Sequence, residues 1–162
     1  MKSNGKRTDI HSEDNFNPED GANRAIQAGP EALKRLEDIG FRKVGSWSLV
    51  SGEPASSLAS DASAQNVLYA FVSGRDVLYV GKTTQALSRR MYGYQRPSPT
   101  QHTNIAGRIH ISKVLASQRP LDIYALCDNV TRTHGTFAVN LAAGLEDAIV
   151  RDLQPPWNKM GK

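Results

Sequence analysis

The chain has 162 residues, a formal net charge of +4 and a pI of about 9.3, with 39% hydrophobic and 22% charged residues. That is enough for one domain with a modest core and a short extension. A single cysteine, Cys127, excludes an internal disulfide and a cysteine zinc site, and no stretch is long or apolar enough to cross a membrane. The opening MKSNGKRTDI carries no apolar leader segment, so a soluble cytoplasmic protein is expected.

Residues 1–16 are polar and mixed in charge, and read as a disordered extension. Asn17-Pro18-Glu19-Asp20 starts a helix: Asn17 can cap, Pro18 suits the first turn, and the acids favour the dipole. That helix should end near Gly29. Pro30 opens a second helix with Leu33, Leu36 and Ile39 on one face and Gly40 as its stop. Phe41–Val50 fits a strand carrying Val44, Trp47 and Leu49, and Ser51–Gln65 reads as a small-residue linker. Residues 17–64 therefore form a helical cap, strand and linker ahead of a core over 65–162. The cap either packs on that core or contributes to target recognition.

The core begins with two apolar runs, Val67–Val72 and Val77–Val80, around the turn cluster Ser73-Gly74-Arg75-Asp76, which predicts a β-hairpin. Gly81 breaks the strand. A helix follows from Ala86 with Leu87, Met91 and Tyr94 on its apolar face. Gln95–Asn104 is a loop. Ile105–Gln118 is helical, with Ile105, Ile109, Ile111 and Leu115 as its apolar positions, and Pro120 ends it. Leu121–Leu126 is the third strand and Cys127–Phe137 a polar loop. Asn140 caps a last helix carrying Leu141, Leu145, Ile149 and Leu153, and Pro155-Pro156 stops it.

Charge is unevenly distributed. Between Asp76 and Asp122 there is no acidic residue, yet Lys82, Arg89, Arg90, Arg96, Arg108, Lys113 and Arg119 lie there. Such a tract suits a phosphate backbone, although a solvated basic face would look the same.

Val67-Leu68-Tyr69 and Tyr79-Val80-Gly81 stand on the paired strands, an arginine on the next helix, Glu146 on the last helix and Asn158 near the end. In this order the residues resemble the core of the GIY-YIG endonucleases, over residues 65–162. The resemblance implies an α+β fold, here a small three-stranded antiparallel sheet flanked by helices. It also implies a metal-dependent endonuclease that hydrolyses DNA phosphodiester bonds. Tyr69 would take the proton from the attacking water, Tyr79 would orient water or phosphate, and Tyr94 would assist Tyr69. Arg90 would stabilise the phosphate charge, with Arg89 as rival for that place. Glu146 would hold Mg²⁺ or Mn²⁺, hard cations that keep most of their waters. Asn158 would hold the site together over Trp157. Lys82, Arg89, Arg96 and Arg108 are the expected DNA contacts. The compact length fits a stand-alone enzyme of restriction or defence, acting as one chain or as a homodimer on DNA. The first motif lacks the family's glycine, which supports a second reading: a catalytically inactive nucleic-acid-binding module with the same fold.

Three conditions come from the residues themselves. Tyr69 and Tyr79 share a face only if the hairpin has an odd loop or a bulge, because strand side chains alternate. A tyrosine near its ordinary pKa of about 10 is a poor base at neutral pH and needs nearby positive charge. Gly81-Lys82-Thr83 imitates a phosphate loop, but the Walker pattern needs a glycine where this chain has Asp76. His11, His102, His110 and His134 show no metal-ligand spacing and read as loop or surface residues.

Overall fold

The structure, a computed structural model, describes residues 29–127 and 132–158. The extension over 1–16 and the helix expected from Asn17 lie outside them. The described elements are helix α1 (Pro30–Asp38), strands β1 (Arg42–Val50), β2 (Glu53–Leu58), β3 (Val67–Ser73) and β4 (Asp76–Thr83), helices α2 (Leu87–Gln95) and α3 (His102–Ala116), strands β5 (Leu121–Cys127), β6 (Arg132–His134) and β7 (Phe137–Val139), and helix α4 (Leu141–Leu153).

Five strands form one antiparallel sheet in the order β2-β1-β5-β3-β4, and β6 and β7 pair separately. Three strands were therefore too few. The strand expected over Phe41–Val50 joins the same sheet beside β5, and the segment read as a linker contains β2. Pro54-Ala55-Ser56-Ser57 lacks the apolar alternation that marks a strand. What makes it one is pairing with β1 around Ser51-Gly52, both at positive φ (52° and 80°), the pattern of a two-residue hairpin turn. The polar loop expected over Cys127–Phe137 likewise contains β6 and the start of β7.

β3 is buried along its whole length, so its side chains feed two cores. Val67, Tyr69 and Phe71 point to one face, where they meet Leu87, Met91 and Tyr94 of α2 and Ile111 of α3. Leu68, Ala70 and Val72 point to the other, against Leu33 and Leu36 of α1 and Ala142 and Leu153 of α4. Burying each large apolar side chain contributes about 1.5–3 kcal/mol, which is why α2 and α4 are held on opposite faces. The sheet thus separates two helical layers, and every residue of the site described below is placed relative to that sheet.

α3 starts three residues earlier than its apolar run suggests, and its face differs. Ile109 is exposed, whereas Asn104 and Ile111 are buried. The reason is Gly107: a side chain there would meet the Tyr94 ring at 2.6 Å, so α3 lies against Tyr94 through its smallest residue. In α4 the Asn140 side chain accepts a hydrogen bond from the Ala143 backbone N–H at 3.2 Å, a normal N-cap.

Candidate active site

The hairpin turn is the regular two-residue Gly74-Arg75 kind, with Gly74 at φ 65°. By itself that would send Tyr69 and Tyr79 to opposite faces. A bulge at Leu78 reverses this: Phe71 pairs with Tyr79 and Val72 with Val77, so Leu78 is the extra residue. Tyr69 and Tyr79 then lie on one face with ring centroids 6.0 Å apart. Gly81 is opposite Tyr69, and a Cβ there would stand 2.9 Å from both phenolic oxygens and 2.7 Å from the Tyr79 ring. A side chain at 81 would therefore displace the tyrosines.

Arg90 is the centre of the cluster. It donates from Nε to the Tyr69 hydroxyl at 2.7 Å, from Nη2 to the Tyr94 hydroxyl at 2.7 Å, and from Nη1 to Asn104 Oδ1 at 2.8 Å. The two phenols also share a hydrogen bond at 2.8 Å. One helical turn separates Arg90 from Tyr94, so the guanidinium also lies over that ring, 4.5 Å from its centroid. A guanidinium has five N–H donors. Three are committed here, and among the described residues the remaining N–H on each of Nη1 and Nη2 makes no further hydrogen bond. Arg89, the rival, is exposed and has none of these contacts.

Burial sets the electrostatics. Tyr69 is fully buried, and desolvation holds its phenol well above the ordinary range, although Arg90 and the Tyr94 hydroxyl pull the other way. Tyr94 is raised for the same reason, with the Tyr69 and Tyr79 oxygens adding to it. Burial also opposes charge on Arg90, but the surrounding phenolic oxygens prevail and its pKa is raised. At neutral pH the cluster is thus a cation held by two neutral phenols. The nearby positive charge that the sequence demanded is present, yet desolvation outweighs it.

Arg90 opens onto a cleft of about 700 Å³ whose walls include Lys82 from the end of β4, Arg89 and Arg96 from α2 and its C-terminus, Gln101 just before α3 and Asn104 within it. None of the lining residues is acidic. Among the described residues neither Arg89 nor Arg96 has a carboxylate partner. Arg108 is elsewhere: it donates to the Gln95 carbonyl and pairs with Glu53, so it braces α2 and β2 instead of lining the cleft. Lys82 lies within β4, not in a loop, so no phosphate-binding loop forms at Gly81-Lys82-Thr83.

Glu146 sits on α4 with its side chain 19% exposed, and its Oε2 is 2.7 Å from Lys82 Nζ. That pair raises the Lys82 ammonium above its ordinary value, mainly through the Glu146 hydrogen bond. Asp147 is exposed. No group of three or more His, Cys, Asp or Glu side chains gathers among the described residues. A cation at Glu146 would therefore have fewer than three such protein ligands, which fits Mg²⁺ or Mn²⁺ retaining waters and a substrate oxygen.

Asn158 is placed by the free edge of β4. Its amide accepts from the Val80 N–H at 2.9 Å and donates to the Val80 carbonyl at 2.7 Å, while the Trp157 N–H donates to the Leu78 carbonyl at 2.9 Å. The segment after α4 thus satisfies an edge strand's backbone beside the bulge.

Asn104 and Gln101 were not legible as site residues. Asn104 is buried, holds Arg90, and is itself held by Gln101 Oε1 at 3.0 Å. The one available signal was their spacing of three on a helix, and the segment up to Asn104 read as a loop.

No family model and no curated protein matches the chain. Solved structures share its fold, among them two nucleases. A mutant of bacteriophage T4 EndoII aligns over 78% of this chain and 97% of its own, with 23% identity and a TM-score of 0.61. The restriction endonuclease HPY188I, solved in complex with product DNA, aligns over 87% of this chain and 86% of its own, with 11% identity and a TM-score of 0.50.

Proposed function

We propose that this chain is a metal-dependent DNA endonuclease of the GIY-YIG type. The observation that carries the reading is Arg90: a guanidinium held by three hydrogen bonds, opening onto a cleft whose charged lining residues are all cations. The fold it shares with EndoII and HPY188I supports the same class of reaction.

In this reading Lys82, Arg89 and Arg96 draw the phosphate backbone into the cleft. Arg90 grips the scissile phosphate with its two remaining N–H groups and stabilises the charge that grows in the transition state. Tyr69, Tyr94 and Asn104 hold it in place, so it reorganises little during the reaction. Tyr69 stays a phenol at neutral pH, and its part is to orient Arg90. Tyr79, half-buried on the same face, is the tyrosine free to meet water or phosphate. Glu146 would hold the divalent cation, with Lys82 passing from the carboxylate to a phosphate oxygen. When bound, such a cation supplies charge neutralisation and a more acidic water. Asn158 keeps β4 and its bulge in register. Restriction or defence is the role we assign to this compact form.

The second reading, a binding module without activity, is favoured by one contact: Lys82 already occupies the lone carboxylate. Nicking of supercoiled, branched and genomic DNA, with Mg²⁺ or Mn²⁺ and then with chelator, separates the two. The enzyme reading expects cutting that stops with chelator and falls by about 100-fold or more in Glu146→Ala. Salt-sensitive DNA retention with no cutting of any substrate would establish the binding module instead.

A further inference from the structure

A second cavity, of about 300 Å³, borders the Arg90 cluster at Tyr94. Its inner wall is aromatic: Phe71, Tyr79, Tyr94 and Trp157. The outer wall is α3, which presents Ala106 and Gly107 there; Phe71 and Tyr94 are buried behind it, and the half-buried Tyr79 and Trp157 supply the accessible ring surface. His110 stacks on Trp157 with centroids 5.1 Å apart and planes 17° from parallel, and both rings line the cavity. Burial holds the His110 imidazole below its ordinary pKa, with Lys113 adding to this, so it is neutral at pH 7. His102 and Thr103 add hydrogen-bonding groups at the rim. Tyr94 is shared: its hydroxyl binds Arg90 at 2.7 Å while its ring faces this cavity.

We propose that this cavity takes one unstacked nucleobase of the strand whose phosphate Arg90 holds. The proposal rests on the nucleic-acid reading of the cleft and adds a base subsite to it. Three features favour this occupant. The volume lies at the lower end for ligand pockets and suits one flat ring system. Stacked rings with a few polar groups at the rim are what an extruded or single-stranded base requires. Tyr94 belongs both to the Arg90 cluster and to the cavity wall, so the subsite adjoins the residues that hold Arg90. Because every base has a π-face, the subsite would be tolerant of sequence.

The test compares two single strands about 12 nucleotides long, a length within ordinary single-strand site sizes. One is oligothymidylate and the other has the same backbone without bases. Binding to the full chain is measured in chelator and at low salt, together with Trp emission. The wild type should prefer the base-bearing strand by about tenfold, with Trp157 quenching seen for that strand alone. Ala106→Leu, which fills the cavity from the exposed face of α3, should bring the preference close to one while circular dichroism and the melting temperature stay near wild type. Equal wild-type binding of the two strands, with salt sensitivity kept, would overturn the base subsite and leave the cleft reading intact. An unchanged preference in a folded Ala106→Leu protein would also overturn it. Failure of the wild type to bind either strand would overturn both.

Discussion

Arg90 has more of its donor capacity satisfied than an exposed arginine could achieve, and this is what sets it apart from Arg89 one position earlier. A helix rotates about 100° per residue, so of two adjacent arginines only one can enter a core lined by Tyr69 and Tyr94. Lysine at 90 would keep the charge and lose the fork. Arg90→Lys should lower kcat/KM by about 100-fold or more, with DNA retention at low salt close to wild type. Asn104 is argued to act through its hydrogen bond with Arg90, as a positioning residue. Asn104→Ala should lower kcat by about 10- to 100-fold with little change in KM, and Asn104→Gln should restore part of it. A loss confined to stability, with kcat of the folded fraction unchanged, would show that Asn104 merely fills space.

At the scale of elements, the site depends on how β4 is built. Its two-residue turn alone would separate the tyrosines, and the bulge at Leu78 brings them together. A bulged edge strand is a weak point, because its outer N–H and C=O groups have no strand neighbour. Asn158 and the Trp157 N–H supply the missing partners. Asn158→Ala should therefore cost about 1–3 kcal/mol of unfolding free energy, read by urea denaturation, since it strands two groups of Val80. Hydrogen exchange should speed up at the Val80 amide ahead of those in β3. Uniform loss of protection across the sheet would mean that Asn158 acts on global packing alone. The bulge condition could be stated from strand alternation. Its location could not, because the register is decided where Phe71 and Tyr79 pack on Tyr94 and Trp157.

At the scale of the whole molecule, three of the cations in the acid-free tract are spent on carboxylates outside it: Lys82 on Glu146, Arg108 on Glu53 and Arg119 on Asp76. The tract is therefore less basic in three dimensions than in one. In the nuclease reading, DNA-binding strength comes from the cleft, where Lys82, once released from Glu146, converges with Arg89, Arg90 and Arg96. Four phosphate contacts predict a slope of log K against log salt of about −3.6. Arg96→Ala should reduce that slope by about one unit, and Arg108→Ala should leave it unchanged while lowering the melting temperature. An equal fall in slope for both would place Arg108 on the DNA.

The sequence by itself determined the elements with strong local signals. The Tyr69–Tyr79 hairpin, α2, α4 with its Asn140 cap, β1 and β5 were all legible from periodicity, caps and turn residues. So was the order of chemical residue types that resembles a nuclease core. Tertiary structure alone decided the rest. β2 has almost no apolar signal and exists because β1 offers it an edge. Asn104 joins the site because Gly107 lets α3 lie against Tyr94. That Arg90 and not Arg89 enters the tyrosine cluster follows from which face of α2 the sheet covers. Tyr69 remains a neutral phenol because desolvation, a property of the whole surround, outweighs the charge beside it. In each case the deciding energy is a contact between residues far apart in the chain, which no local pattern encodes.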